Sequence, residues 1–128
     1  MNRERALKVV LVLVGLLFSA GIYPLVTSVR SELKTHEESA LPMMLSLYVT
    51  LGVFLLLAAR NPSAHRGVIA FAAWSSFAHA SVMAVMSIQL PTERAELLSA
   101  AAAFSLIGVL LIVLAPGRQP PARVQGAA

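Results

Sequence analysis

The sequence contains no cysteine, and this absence excludes two kinds of small scaffold. Its 128 residues include only three histidines, His36, His65 and His79. Disulfide frameworks need paired cysteines, and the common zinc sites need closely spaced cysteine and histidine ligands. We therefore expect neither a disulfide-stabilised fold nor a metal site in this protein.

Charged residues are also scarce, at 12% of the chain, whereas soluble domains contain about one quarter. Hydrophobic residues make up 58%, and the mean hydropathy is +0.79. These proportions exclude an ordinary soluble domain. The net charge of +4 does not indicate a nucleic-acid partner, because the basic residues lie beside apolar runs and form no long basic block. Contact with anionic lipid headgroups explains them, so we expect the lipid bilayer as a partner and no nucleic acid.

Four long runs contain no Asp, Glu, Lys or Arg. About 20 helical residues cross the hydrocarbon core of a bilayer, which is about 30 Å thick. A helix also pairs its own backbone polar groups, as lipid requires. The pattern predicts an all-α fold, a four-helix transmembrane bundle with up-down-up-down antiparallel topology. The predicted spans are 9–29, 41–59, 68–90 and 97–115. They form a single membrane domain over residues 1–115, followed by a disordered tail over residues 116–128.

The basic residues are divided unequally between the two ends of this bundle. Seven lie before the first span, between the second and third, or after the fourth: Arg3, Arg5, Lys8, Arg60, Arg66, Arg118 and Arg123. The positive-inside rule therefore predicts that both termini are cytoplasmic, the N-in/C-in orientation. The first run also has features of a secretory signal, but it continues to Val29, which is longer than the apolar part of most signals.

Prolines mark the expected helix ends and one interruption. Asn61 is expected to cap the helix that Pro62 begins, so that the second and third spans form a tight antiparallel hairpin. Pro24 lies inside the first span, where we expect a kink that leaves the carbonyl of Ala20 free.

Small residues at helical spacing predict packing surfaces, because close backbone approach drives helix association in lipid. The first span has one such ridge, and the third has another: Gly15 and Ser19, then Ala72, Ser76, Ala80 and Ala84. Trp74 is also expected to pack, with its indole N–H donating to a neighbouring helix.

Each span places one polar side chain near mid-depth: Ser19, Thr50, His79 and Ser105. If all face inward, they form a hydrogen-bonded polar layer across the bundle. His79 is the only Asp, Glu, Lys, Arg or His in any span, which makes it the leading site hypothesis. We expect it to be neutral and either hydrogen-bonded to Ser75, Ser76 or the polar layer, or part of a ligand or proton site. The candidate cofactor-binding residues are thus His79, Ser75 and Ser76.

Sharper interpretations of His79 need ligands from outside its own helix. Copper cannot bind His79, Met83 and Met86 of one rigid helix, because Met86 lies about 10 Å along the axis from His79. A copper site would need Met43, Met44 or a second subunit. Haem held by two histidines needs a homodimer that pairs His79 with its copy. Small proton-coupled exporters use a membrane-embedded glutamate, which the spans lack.

No nucleophile and base pair, carboxylate pair or phosphate loop is present, so we predict no enzyme, no catalytic residue and no resident cofactor. The leading hypothesis is a structural or accessory protein that packs as a homo-oligomer or with a larger membrane protein. The alternative is binding of a small apolar or redox ligand, such as haem or quinone, or of a proton, in a cavity near His79.

Three segments carry a resemblance to a known family: Gly21-Ile22-Tyr23-Pro24, Ala59-Arg60-Asn61-Pro62 and Trp74-Ser75-Ser76-Phe77-Ala78-His79. Through these segments the sequence resembles a family of small uncharacterised bacterial membrane proteins, a domain of unknown function. The resemblance covers most of the four spans. The resemblance implies a multi-pass protein of the bacterial inner membrane, and it implies no activity.

Overall fold

The computed structural model describes residues 2–36 and 40–118. Its helices are α1 (Arg3–Ser19), α2 (Ile22–Thr35), α3 (Leu41–Arg60), α4 (Arg66–Gln89) and α5 (Arg94–Leu114), with a short 3₁₀ helix over Pro62–His65 before α4. The predicted fold class is confirmed, since four long apolar helical segments pack antiparallel. Most of the predicted tail, residues 119–128, lies outside the described residues.

Within the described ranges, four helical segments are long and apolar enough to cross a membrane: Arg3–Thr35, Leu41–Arg60, Pro62–Gln89 and Arg94–Leu114. The predicted spans fall within them, except that Leu90 and Ala115 follow the ends of their helices. The first segment has 33 residues. At about 1.5 Å per residue it is longer than the hydrocarbon core is thick, so one end of this segment extends past the core.

The interruption of the first segment lies before Pro24. Helix α1 ends at Ser19, and α2 begins at Ile22, so Pro24 is in the first turn of α2, where its missing N–H costs no hydrogen bond. The carbonyl of Ala20 accepts from the N–H of Tyr23 at 3.3 Å. The prediction of a free Ala20 carbonyl is therefore wrong, because a tight turn supplies the donor that proline lacks.

Helices α1 and α3 form one close pair. A methyl group on Gly52 would lie 2.6 Å from the backbone nitrogen of Ser19 and 2.8 Å from the carbonyl oxygen of Gly15. Contact between two backbones at this distance requires glycine. The predicted packing ridge of Gly15 and Ser19 is confirmed.

Helices α4 and α5 form the second close pair. On α4, Ala72, Ser76 and Ala80 are buried, whereas Ala84 is only partly buried. A methyl group on Gly108 of α5 would lie 2.9 Å from the ring of Phe77. The ridge predicted on the third span is thus confirmed at its first three positions.

Helices α3 and α4 follow each other in sequence but pack loosely. The Asn61 carbonyl accepts from the N–H of Ala64 at 3.2 Å and from His65 Nδ1 at 2.9 Å, and the Asn61 side chain caps neither helix. The prediction of a tight hairpin is wrong, because bulky side chains such as Phe54 and Phe71 line the space between the two helices.

Both described ends of the chain lie at the same end of the bundle, which we call the terminal end. Arg3 of α1 donates through Nη2 to the carbonyls of Val113 and Ala115, at 3.0 and 2.9 Å. At the opposite end, Arg94 Nε donates to the Ser87 carbonyl at 3.0 Å. Each arginine thereby satisfies carbonyls near a helix C-terminus, where positive charge is favourable.

Candidate functional site

Four rings meet inside the bundle, one from each of the four membrane-spanning segments. We call Phe18 of α1, Tyr48 of α3, His79 of α4 and Phe104 of α5 the ring layer. The imidazole of His79 lies 4.5 Å from the ring of Phe104 and 5.3 Å from that of Tyr48, between centroids. Phe18 lies 5.1 Å from Tyr48 and 5.9 Å from Phe104, and Tyr48 lies 5.6 Å from Phe104. These spacings are typical of favourable aromatic pairs.

The ring layer occupies the depth at which the sequence predicts a polar layer. Thr50 is exposed, and its hydroxyl donates to the Ser46 carbonyl at 2.9 Å. At the crossing of α1 and α3, Ser19 Oγ is buried and has no hydrogen-bond partner among the described residues. Within the two described ranges, Ser105 and His79 make no side-chain hydrogen bond. The predicted hydrogen-bonded layer is therefore wrong, because a serine or threonine can use its own helix backbone and the centre is filled by rings.

The two serines next to His79 also turn to their own helix. Ser75 and Ser76 both donate to the carbonyl of Ala72, at 3.2 and 2.7 Å. Ser76 is almost fully buried, and His79 is partly buried. The structure thus places the three candidate residues on one helix without joining them by hydrogen bonds, and their role in ligand binding stays a prediction.

A lateral groove opens between α3 and α4, with a volume of about 510 Å³. Ligand sites generally range from about 300 to 1,000 Å³. The α3–α4 groove is lined by Tyr48, Thr50 and Phe54 from α3 and by Gly67, Phe71 and Ser75 from α4, among others. Tyr48 is the member of the ring layer that also borders this groove, and its hydroxyl makes no hydrogen bond within the part of the chain that is described.

A second groove, between α4 and α5, has a volume of about 520 Å³. The α4–α5 groove lies toward the terminal end and combines Arg66 and Arg118 with the apolar residues Ala70, Trp74 and Ile112. Trp74 is 67% exposed, contacts the Phe77 ring at 5.9 Å and donates no hydrogen bond within residues 2–36 and 40–118. The prediction that its indole bonds to another helix is wrong, because the side chain points outward.

Sequence reasoning missed the ring layer, although a usable signal was present. Phe18, Tyr48 and Phe104 each lie within about two residues of the middle of their predicted spans. Counting depth for aromatic residues, as well as for polar ones, finds all three. The inward orientation of Tyr48 depends on how the helices rotate about their axes, which depth does not determine.

Comparison with known proteins gives a family without an assigned role. A family model described as a family of unknown function matches residues 2–124. The chain belongs to DUF6632. The matched range includes every helix of the bundle, both grooves and the ring layer. No curated protein and no solved structure matches the chain.

Proposed function

We propose that the protein is a non-catalytic accessory protein of the bacterial inner membrane, which packs beside a second copy or a larger membrane protein. The ring layer is the observation that carries this proposal. Four rings, each in contact with at least two of the others, meet at the centre of the bundle, so its interior is a packing core. A protein with a filled interior acts through its outer faces.

An N-in/C-in orientation belongs to the same proposal. Arg3 contacts the last carbonyls of the α5 region, which supports a single side for both ends. The same side carries four further basic residues near helix ends: Arg5, Lys8, Arg60 and Arg66. The positive-inside rule places the cytoplasm on this side.

The chemistry of the polar groups in the spans supports a non-catalytic role. Ser75, Ser76 and Thr50 donate to carbonyls of their own helices. The spans offer no carboxylate to orient His79, and an imidazole without an orienting acid is a weak base for activating a serine. We therefore assign His79 to packing.

The α3–α4 groove is the face we propose for the contact with a neighbouring protein. Phe71 lines this groove and is 65% exposed, whereas Leu106 of α5 is similarly exposed at 59% and lies in neither groove. A photo-crosslinking amino acid at position 71 in native membranes is expected to give adducts of discrete mass. Position 106 is the matched control.

The mass of the adduct identifies the neighbour. An adduct of twice the chain mass supports a homo-oligomer, and another discrete mass supports a larger partner. Equal adducts from positions 71 and 106 would contradict the proposal, because they would reflect random collisions in the bilayer. The absence of adducts from both positions would also contradict it.

A second candidate function is binding of a small apolar ligand with a carbonyl group, such as a quinone. Tyr48 favours it, because this residue brings to an apolar groove of suitable size a hydroxyl that has no partner among the described residues. A phenolic hydroxyl can donate to a carbonyl acceptor. Binding of haem or of a proton at His79 stays a separate hypothesis, and a Soret band in the purified protein would support the haem form.

The ligand hypothesis is tested by extracting the purified protein and identifying bound quinones by mass spectrometry. Tyr48→Phe keeps the ring and removes the hydroxyl, so we expect it to lower ligand retention about tenfold, as the loss of one hydrogen bond predicts. Tyr23→Phe, at a site that is 75% exposed, is the control. Equal retention by all three proteins would contradict a hydroxyl-bound ligand.

A further inference from the structure

The α4–α5 groove joins a basic mouth to apolar walls. Arg66 is the first residue of α4, and Arg118 follows the end of α5, so both lie at the terminal end of the bundle. Beyond them the groove is walled by Ala70, Trp74 and Ile112. A groove of this kind suits a molecule with an anionic head and an apolar tail.

Among residues 2–36 and 40–118, neither arginine pairs with a carboxylate at that end. The chain has six acidic residues, all of them glutamate. Among the described residues, Glu4 is the only one on a helix end at the terminal side, and its carboxylate pairs with Lys8 at 3.1 Å. An anionic group from another molecule would complement the charges of Arg66 and Arg118.

The C-terminus of α5 would by itself repel an anion, because its free carbonyls carry partial negative charge. Arg3 donates to the carbonyls of Val113 and Ala115 and so offsets this charge beside the groove. The contact leaves Arg66 and Arg118 as the positive groups that face the mouth.

We propose that the α4–α5 groove is a binding site for one anionic phospholipid from the leaflet at the terminal end. The phosphate contacts the guanidinium groups of Arg66 and Arg118, and an acyl chain lies along the apolar wall. Guanidinium groups bind phosphate through paired N–H donors, and basic pockets between membrane helices are typical sites for anionic headgroups. The apolar wall distinguishes a lipid from free phosphate, which has no tail to bury.

Trp74 gives this site its own optical probe. It is the only tryptophan of the chain, and it lines the groove with 67% of its surface exposed. It lies eight residues after Arg66, so it is about 12 Å deeper along α4. That depth corresponds to the middle of an acyl chain whose phosphate is at Arg66.

Quenching of Trp74 fluorescence by brominated lipids tests the proposal. The full chain is reconstituted in phosphatidylcholine, with increasing fractions of lipid brominated near the middle of its chains. We expect brominated phosphatidylglycerol to reach half-maximal quenching at a mole fraction about fivefold lower than brominated phosphatidylcholine. Equal quenching by the two lipids would overturn the site.

Two double variants separate the groove from general surface charge. Arg66→Gln with Arg118→Gln is expected to abolish the preference for phosphatidylglycerol. Arg5→Gln with Arg60→Gln removes the same charge from the same end outside the groove, and is expected to keep the preference. Equal loss in both would overturn the proposal.

Displacement of the lipid by millimolar inorganic phosphate at constant ionic strength would indicate a free-anion site and would also overturn it. Helix content by circular dichroism confirms that each variant is folded.

Discussion

The two interfaces of α3 differ in kind, although both join it to another membrane-spanning helix. Toward α1, Gly52 lets the backbones of the two helices touch, with Ser19 and Gly15 on the other side. Toward α4, the two helices leave a groove of about 510 Å³, which Phe54 and Phe71 line. The helix that directly follows α3 in sequence is therefore the one it packs with less closely.

Small residues mark the close pair of α1 and α3, as expected where side-chain size limits how near two helices approach. In lipid, burial of apolar surface does not favour one helix neighbour over another, so van der Waals contact between backbones becomes decisive. A short connector limits how far two helices can separate, but it supplies no contact energy. We call the contact of α3 with α1 the closed interface and its contact with α4 the open interface.

The largest expected effect is that of a methyl group at the closed interface. Gly52→Ala places a Cβ within 2.6 Å of the Ser19 backbone nitrogen, an atom that moves only if α1 moves. We expect a loss of about 3 kcal/mol in the free energy of unfolding, measured by denaturation in mixed micelles. Gly67→Ala is the control, since nothing lies within 4 Å of that site on the open side. An equal loss at both positions would refute the contrast.

The ring layer, which lies between the two interfaces, gives the next largest effect. His79→Ala removes a ring that contacts Phe104 at 4.5 Å, and we expect it to destabilise the fold by about 2 kcal/mol. His79→Phe retains the ring and is expected to stay within about 1 kcal/mol of the parent protein. Thermal unfolding in detergent measures both. If His79→Phe is as unstable as His79→Ala, the role of His79 is polar and does not depend on ring packing.

A smaller effect is expected at the terminal end. Arg3→Ala removes two hydrogen bonds to carbonyls near the end of α5, and we expect a loss of about 1 kcal/mol. In the same variant, hydrogen exchange of the amides in residues 110–115 is expected to be faster. Arg5→Ala, at an exposed neighbour on α1, is expected to change neither quantity. Unchanged exchange in the Arg3 variant would show that the contact contributes nothing.

The smallest effect is expected on the open side of α3. Thr50 borders the groove, and its hydroxyl bonds only to the Ser46 carbonyl. Thr50→Leu adds volume where space exists, so we expect a change of less than about 0.5 kcal/mol in the same micelle assay. A loss comparable to that of Gly52→Ala would mean that the groove is closed in the membrane.

Much of the fold follows from apolar length alone. The four charge-free runs predict the membrane-spanning helices closely, because lipid leaves few alternatives for the backbone. The ridges of Gly15, Ser19 and Ala72 are predictable for a similar reason, since small residues at helical spacing have few other uses in lipid. These features depend on composition along one helix.

The candidate site was much harder to predict, because it depends on several helices at once. Depth along each predicted span placed Thr50 and Ser105 in a layer that Tyr48 and Phe104 occupy. Which face of a helix turns inward depends on its rotation and on its partner. The loose packing of α3 on α4 followed the size of side chains on both helices, which a short connector does not reveal.

If the ring layer fills the centre of the bundle, the His79 imidazole contacts its neighbouring rings in the membrane. Solid-state NMR in lipid bilayers, with histidine, tyrosine and phenylalanine labelled, measures this contact. We expect cross-peaks from the His79 imidazole to Phe104 and Tyr48 ring carbons and none to water, while His36, which is exposed beyond α2, shows water contacts. Strong water cross-peaks at His79 without ring contacts would show that water, and not the ring layer, surrounds this imidazole.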